Sequence, residues 1–380
     1  MSAVSAFSYG RRQTRAREHM RVASLDALLL THPPNLRYLI GFTGTTGALL
    51  LTASGCTLIV DFRYVTAAHE LAASHPDLEG LEVYCAEHSI DDAAASVMRT
   101  RGLRRVGIES ASMPVGRFSK LSAALAAGVP LAPVGTPTSA LVLTERVVER
   151  IRAVKEPAEV AIIRQAAARL SSVAARVAGL VLAGRSEREI AADIDGALRQ
   201  AGFERPAFET IVASGPNSAL PHARPGLRRV EDGDGVVLDF GGVYDGYCVD
   251  LTRTVQLGSS RELSRLLDAV SQAHAAAISA VKPGARPSEI DAAARDTLAG
   301  HGLAAAFGHG TGHGLGLEVH EEPRIGRLAP GQPDEPVESG MVFTIEPGAY
   351  VPSLGGVRIE DDVLVVPGGC EVLTDVPILL

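Results

Sequence analysis

The chain has 380 residues, 46% of them apolar, with 36 basic against 44 acidic side chains and a net charge of −8. That balance excludes the broad basic footprint of a nucleic-acid or anionic-membrane binder, and the length suggests two domains. Four cysteines, Cys56, Cys85, Cys248 and Cys370, stand far apart with no CxxC pair, which fits a reducing compartment and offers no thiolate metal motif.

The first residues, MSAVSAFSYGRRQTRAREHMR, have no apolar core of signal-peptide type ahead of their basic cluster. Helices are expected around 12–22, 64–74, 89–101 and 115–127. Short apolar runs read as strands: DALLL at 26–30, ALLLT at 48–52, TLIVDF at 57–62, LEVY at 81–84 and RRVGIE at 104–109. This alternation argues for an α/β layered domain. Leu121 to Thr144 carries no charge and is long enough to span a membrane. Three prolines (130, 133, 137) and two glycines (128, 135) interrupt it, and its apolar residues are mostly alanines, so a span is rejected. The segment 128–139 reads as the end of the first core, giving domains of 1–143 and 144–380. A cytoplasmic protein is expected.

From Thr144 the sequence is dense in helix formers. The reading is a short helix, a restart at Glu156-Pro157, where proline suits a first turn, and a long amphipathic helix to about 181. SEREIAADIDGALRQAG follows as a helix with Ser186 as N-cap and Gly202 as stop. Strand and hairpin patterns begin after 207, helices recur near 260–281 and 287–300, and strands return from 340. Separated runs of helices and antiparallel strands suggest α+β.

In this half, carboxylates follow apolar runs. GVVLDFGG places Asp239 after Val236, Val237 and Leu238, and GYCVDLTRTV places Asp250 in a β-rich run eleven residues later. GGVYDG between them is turn-like, so the aspartates fall on adjacent strands of a hairpin. MVFTIEPGAY and GVRIEDDVLVV place Glu346 and Glu360 likewise. Carboxylates are almost never fully buried unpaired. Gathered in a low-dielectric sheet they repel one another and shift toward neutrality, a conflict that divalent cations resolve.

The stretch FGHGTGHGLGLEVHEEP, residues 307–323, offers histidines. His309 and His313 have the spacing of a zinc-binding helix, and His320-Glu321 begins like HExxH, but Arg324 stands where the second His would fall. Glycines at 308, 310, 312, 314 and 316 each disfavour helix by about 1 kcal/mol relative to alanine, and instead permit close backbone approach. One imidazole from this stretch with four carboxylates makes a hard site suited to Mn, Co, Fe or Zn. It has enough ligands for two ions sharing carboxylates, which is hydrolytic chemistry.

The ordered series DFG, VDLTRT, GHGTGHGLGLEVHE, TIEPG and VRIED resembles the pita-bread metallopeptidase superfamily (peptidase family M24), which includes methionine aminopeptidase, aminopeptidase P, prolidase and creatinase. The second half is similar to the pita-bread catalytic domain. NLRYLIGFTGTTGALLLT with TLIVDFRY is similar to the N-terminal domain of the proline-specific members. The resemblance implies a two-domain fold, an α/β N-terminal domain and an α+β pita-bread catalytic domain. It implies five metal ligands: Asp239 and Glu360 bridging two divalent ions, Asp250 chelating one, and His313 with Glu346 serving the other. Manganese comes first among the metals, with cobalt, zinc or iron as alternatives. It also implies that His222 in ALPHARPG, His309 and His320 line the substrate pocket, with His320 at the developing oxyanion and His222 near the leaving proline. Arg358 matches a position that supports the site through hydrogen bonds or contacts substrate.

The activity so implied is that of an exopeptidase, prolidase or aminopeptidase P. It would hydrolyse the Xaa-Pro bond of dipeptides or short peptides with a hydroxide bridging the two ions. Glu346 would carry the water proton to the leaving nitrogen. A homodimer is implied, and with no tryptophan in the chain only Phe or Tyr of a neighbouring subunit could cover the substrate. Two alternatives use the same fold: a creatinase-like amide or amidine hydrolase, although creatinase works without the metal set, and an inactive binding module, although such homologues lose ligands kept here. His274 and His301 read as structural, and Glu318, Glu321 and Glu322 as orienting or surface groups at a solvated loop exit.

Overall fold

The apolar runs of the first half become one sheet. In a computed structural model, which describes residues 7–78, 80–126, 140–352 and 354–378, its strands are β1 (Ala27–Leu30), β2 (Ala48–Thr52), β3 (Cys56–Val60), β4 (Leu81–Cys85), β5 (Arg105–Glu109) and β6 (Ala140–Thr144). Their order is β4-β3-β2-β1-β5-β6. β1 runs parallel to β5, β5 to β6 and β3 to β4, while β2 is antiparallel to both neighbours. Continuous apolar strands such as ALLL need cover on both faces. Helices α1 (Tyr9–Val22), α2 (Pro33–Ile40), α3 (Val65–Ser74), α4 (Ile90–Thr100) and α5 (Val115–Ala126) accompany them. Ala94, Met98, Leu121 and Leu125 of α4 and α5 share a core with Leu29, Leu50, Ile59 and Ile108 of the sheet.

Helix α2 has no counterpart in the sequence reading. Its two leading prolines lie in a first turn, where no N–H is needed, and Gly41 ends it at φ 77°. β6 extends the sheet beside β5, so the 143/144 boundary falls at the end of a strand of the first unit. The chain divides into two compact units between Arg152 and Ala153. Segment 128–139 lies outside the described residues. No helix of the described residues is long and apolar enough to cross a membrane.

The helix α6 (Val147–Ala153) precedes the expected break, and α7 (Pro157–Val177) restarts at Pro157 with the Glu159 carboxylate returning to the Glu156 N–H at 2.9 Å. α8 (Glu187–Gln200) starts at the Ser186 cap, paired with Glu189. The second unit then lays down β7 (Arg205–Pro206), β8 (Ile211–Ser214), β9 (Gly235–Tyr244) and β10 (Tyr247–Gln256), followed by α9 (Arg261–Ala280) and α10 (Pro287–Gly300). Its last strands are β11 (Gly312–Gly314), β12 (Glu321–Ile325), β13 (Val342–Ile345), β14 (Gly348–Val351), β15 (Gly355–Arg358), β16 (Asp361–Val366) and β17 (Gly369–Val372). One sheet runs β10-β9-β7, with β8 also on β9; another runs β12-β11-β13-β16-β17; β14 and β15 pair as a hairpin. Leu266, Val270 and Ala273 of α9 and Ile290 and Ala294 of α10 share a core with Phe343, Ile345, Val357 and Val363.

The β9–β10 hairpin turns at Asp245 and Gly246, at φ 46° and 73°. Left-handed geometry at both central residues suits the right-handed twist of the flanking strands. Its register sets Asp239 opposite Thr252 and Asp250 opposite Gly241. Because side chains alternate along a strand, Asp239, Asp250 and Thr252 emerge on one face.

Candidate metal centre

The hairpin face meets the ends of three other strands. Glu346 lies between β13 and β14, Glu360 between β15 and β16, and His313 within β11. Thr252 bridges Glu360 through the backbone, and its hydroxyl donates to Glu360 Oε2 at 2.6 Å. The result collects acids from elements far apart in sequence. Asp239, Asp250 and Glu360 are buried, at 8%, 4% and 2% exposure.

One ligand atom each from Asp250, His313 and Glu360 lies within 4.8 Å of the others, a candidate metal group. His313 Nε2 is also 3.6 Å from Glu346 Oε1 and 3.9 Å from Asp250 Oδ2. The other ring nitrogen, Nδ1, is 3.1 Å from the Gly314 carbonyl. A proton on Nδ1 donated there leaves the Nε2 lone pair free for a cation, the usual outer support of a ligating histidine. Burial, aided by His320, lowers the His313 pKa to about 4 and keeps the ring neutral.

The carboxylates fit a cation by their own discomfort. Burial and then the charge of Asp239 raise the Asp250 pKa well above its ordinary value. Burial and then Asp250 do the same for Glu360. Burial pushes Glu346 up to about 8, with Asp239 adding to it and Arg358 opposing. Asp239 Oδ1 and Asp250 Oδ1 are buried without a hydrogen-bond partner among the described residues. Buried polar atoms are nearly always partnered, so two such oxygens in one acidic cluster suit divalent cations.

Arg358 is the cation of this cluster, 4% exposed. It pairs with Asp239 Oδ2, and donates from Nη1 to Tyr350 Oη at 2.8 Å and to the Pro221 carbonyl at 3.2 Å. Its Nε donates to Thr252 Oγ1 at 3.2 Å. Since Tyr350 Oη accepts from arginine, its own proton is free for His309 Nε2, 2.9 Å away. Burial pushes the Tyr350 pKa up to about 12, which keeps that proton in place. His309 Nδ1 is 2.8 Å from the Gly310 carbonyl. Both His309 nitrogens are therefore engaged, and burial lowers its pKa to about 4.

The His320 ring lies edge-on to His313, with centroids 4.3 Å apart. Burial and then His222, an exposed residue of the loop after Leu220, lower the His320 pKa. The same loop carries the Pro221 carbonyl that Arg358 holds. His274 is buried, with Nε2 3.1 Å from Asp361 Oδ2, while His301 is exposed and 3.2 Å from Gln272 Oε1.

The glycine-rich stretch is threaded between strands. A Cβ at Gly312 would stand 1.8 Å from the Thr344 carbonyl oxygen, and one at Gly316 would stand 2.4 Å from Glu321 Oε1. Asp291 and Arg295, one turn apart on α10, hold its start. Asp291 Oδ1 accepts from the Thr311 N–H and hydroxyl at 3.2 and 2.8 Å, and Arg295 donates to the Phe307 carbonyl at 3.0 Å. At the other end the sequence reading needs correction. Glu321 is no surface group at a solvated exit: its side chain is 4% exposed and pairs with Lys155 at 2.7 Å. The cause is that residues 321–325 form β12 against β11 instead of leaving as a loop.

Thr252, Tyr350, Lys155, Asp291 and Arg295 were not singled out in the sequence. Alternation gave a signal for Thr252, two residues after Asp250 on the same strand face. The others depend on contacts between distant segments.

The family model of the metallopeptidase family M24 matches residues 161–367, and that of the creatinase/prolidase N-terminal domain matches residues 12–154. The chain belongs to metallopeptidase family M24, with the two-domain architecture of a creatinase/prolidase N-terminal domain and a pita-bread catalytic domain. It is similar to an Xaa-Pro dipeptidase of Pyrococcus horikoshii, 35% identical over 361 residues that cover 94% of this chain and 95% of the relative. The solved structure of an Xaa-Pro dipeptidase from Bacillus anthracis matches with a TM-score of 0.89 and 34% identity, covering 98% of this chain and all (100%) of that one. An X-Pro aminopeptidase from Thermotoga maritima matches with a TM-score of 0.81 and 31% identity, over 96% of this chain and 100% of that one.

Proposed function

We propose that this metallopeptidase is an exopeptidase that hydrolyses the Xaa-Pro bond of dipeptides or short peptides, working as a homodimer. The observation that carries the reading is the group of buried Asp250 and Glu360 with half-buried His313, whose ligand atoms converge within 4.8 Å. The full-length similarity to dipeptidases acting on Xaa-Pro supports the substrate class.

Asp239, Asp250, His313, Glu346 and Glu360 would hold two divalent cations, manganese first. Such cations supply Lewis acidity and bring the pKa of water toward neutrality. The chain's own residues do the rest. Glu346, ionised beside the cations, takes a proton from the attacking water and passes it to the leaving proline nitrogen. His320 donates to the carbonyl oxygen as negative charge develops there. His222 borders the proline side, and His309 forms a neutral wall held by Tyr350. Arg358 fixes Asp239, Tyr350 and the Pro221 carbonyl together, which keeps the ligand carboxylate and the His222 loop in one frame. A proline amide has no N–H to offer, so recognition falls on shape and on the substrate's termini.

The test is a substrate panel run after stripping and restoring Mn, Co and Zn. Cleavage of an Xaa-Pro dipeptide alone marks a dipeptidase, and cleavage of an Xaa-Pro-Yaa tripeptide marks aminopeptidase P behaviour. Cleavage of neither with metal supplied overturns the specificity.

A further inference from the structure

We propose that the buried ion pair of Lys155 and Glu321 is a positioning device for His320, acting through the turn that the Glu321 carboxylate organises. The proposal rests on the substrate-side role given to His320 above.

The proposed reaction does not use the pair. Lys155 Nζ stands 2.7 Å from Glu321 Oε1, and the two side chains are 1% and 4% exposed. The lysine stem starts from a fixed backbone: its N–H donates to the Gly340 carbonyl at 2.9 Å, and Val154 bridges Met341 just before β13. Nζ also donates to the Ala153 carbonyl at 3.3 Å.

The carboxylate sits inside the turn that leads back to it. Glu321 Oε2 accepts from the Glu318 N–H at 3.4 Å. The Gly316 N–H donates to the Glu318 carbonyl at 3.0 Å, while the Gly316 carbonyl accepts from the Cys248 N–H at 2.7 Å. A side chain at Gly316 would run into Glu321 Oε1. Gly316 and the Glu318 N–H therefore lie against one carboxylate, and His320 is the residue immediately before it. The His320 ring reaches His313 from this turn.

Stability alone is a weak reason for such a pair. Two charges lose their hydration on burial, and well-packed apolar residues of similar volume often serve a fold as well or better. An ion pair differs from an apolar pair in direction. It fixes where the carboxylate points, and through the Glu318 N–H it fixes the turn that presents His320.

Lys155→Met alone takes the cation away from a buried carboxylate and is expected to destabilise the fold strongly. The test therefore uses K155M/E321Q, which removes both charges and keeps an amide at 321. A second variant, Gly316→Ala, displaces the carboxylate while leaving both charges. Melting temperature, bound manganese, KM and kcat on an Xaa-Pro dipeptide are measured for each. Alongside them, the His320 signal is followed in a nitrogen-15 histidine spectrum of protein loaded with diamagnetic zinc in place of manganese, assigned by its loss in His320→Asn. The expected result is unchanged metal content and KM, a moved or broadened His320 signal, and a kcat lower by up to about 100-fold, the cost of misplacing a reacting group by about 1 Å. An unmoved His320 signal in either folded variant overturns the proposal, whatever happens to kcat. If the wild-type protein cleaves no Xaa-Pro substrate, the functional reading fails by itself, and the His320 signal still decides the positioning role.

Discussion

Glu109 of the first unit and Asp250 of the second are both buried strand carboxylates, and burial raises the pKa of each. Their surroundings differ. Glu109 Oε2 accepts from the backbone N–H groups of Thr31 and His32 at 2.6 and 3.0 Å, and Oε1 accepts from Asn35 Nδ2 at 2.7 Å. It takes the two N–H groups just ahead of α2, where the helix dipole favours a negative charge. Asp250 instead feels the charges of Asp239, Asp362 and Glu346, and its Oδ1 has no hydrogen-bond partner among the described residues. The contrast separates two uses of a buried acid. One is completed by the protein's own donors and holds a fold. The other is left incomplete and demands a cation.

The largest break should come from the incomplete site. Asp250→Ala or Glu360→Ala is expected to bring peptide hydrolysis to background and to lower bound metal per chain, with circular dichroism showing an intact fold. His320→Ala should lose about 10²–10³ in kcat, as removal of an oxyanion donor does, with bound metal unchanged.

A pH series on metal-stripped protein sharpens the contrast. Glu346 has a folded pKa of about 8 against 4.5 as an ordinary glutamate, so between these values the fold keeps a proton that the unfolded chain has released. Its contribution to stability is full below about pH 4.5, falls as pH rises, and levels off above about pH 8. Denaturant titrations of wild type and Glu346→Gln should diverge over that window, with the wild type losing stability relative to the variant. Parallel curves would contradict the strained-carboxylate picture.

Glu109→Gln should do the reverse of a metal-site change. Disturbing a satisfied buried acceptor costs about 1–3 kcal/mol, seen as a lower melting temperature with metal content unaltered. The smallest effect is expected at an exposed carboxylate. Arg164 and Glu371 pair at 2.5 Å with side chains 48% and 41% exposed, and Arg164→Ala should change stability by no more than about 1 kcal/mol.

Much of this organisation was legible in the sequence because it is written in local patterns. Apolar runs marked the first sheet's strands, and Ser186 and Pro157 marked helix starts. The Asp-Gly turn put Asp239 and Asp250 on adjacent strands. Acids following apolar runs pointed to a buried cluster. What escaped depends on contact between distant segments. Lys155 and Glu321 meet across 166 residues, and the sequence near Glu321-Glu322-Pro323 looks like a solvated exit. Tyr350 and Arg295 are ordinary residues until the fold sets them beside His309 and the Phe307 carbonyl. Helix α2 was hidden because two prolines usually signal an extended segment.

The most direct test is the rate of hydrolysis of an Xaa-Pro dipeptide by metal-stripped protein, before and after manganese is restored. The buried unsatisfied carboxylates predict negligible hydrolysis when stripped and recovery on addition of manganese. Full activity without metal, or none with it, would contradict the reading of this cluster as a hydrolytic metal centre.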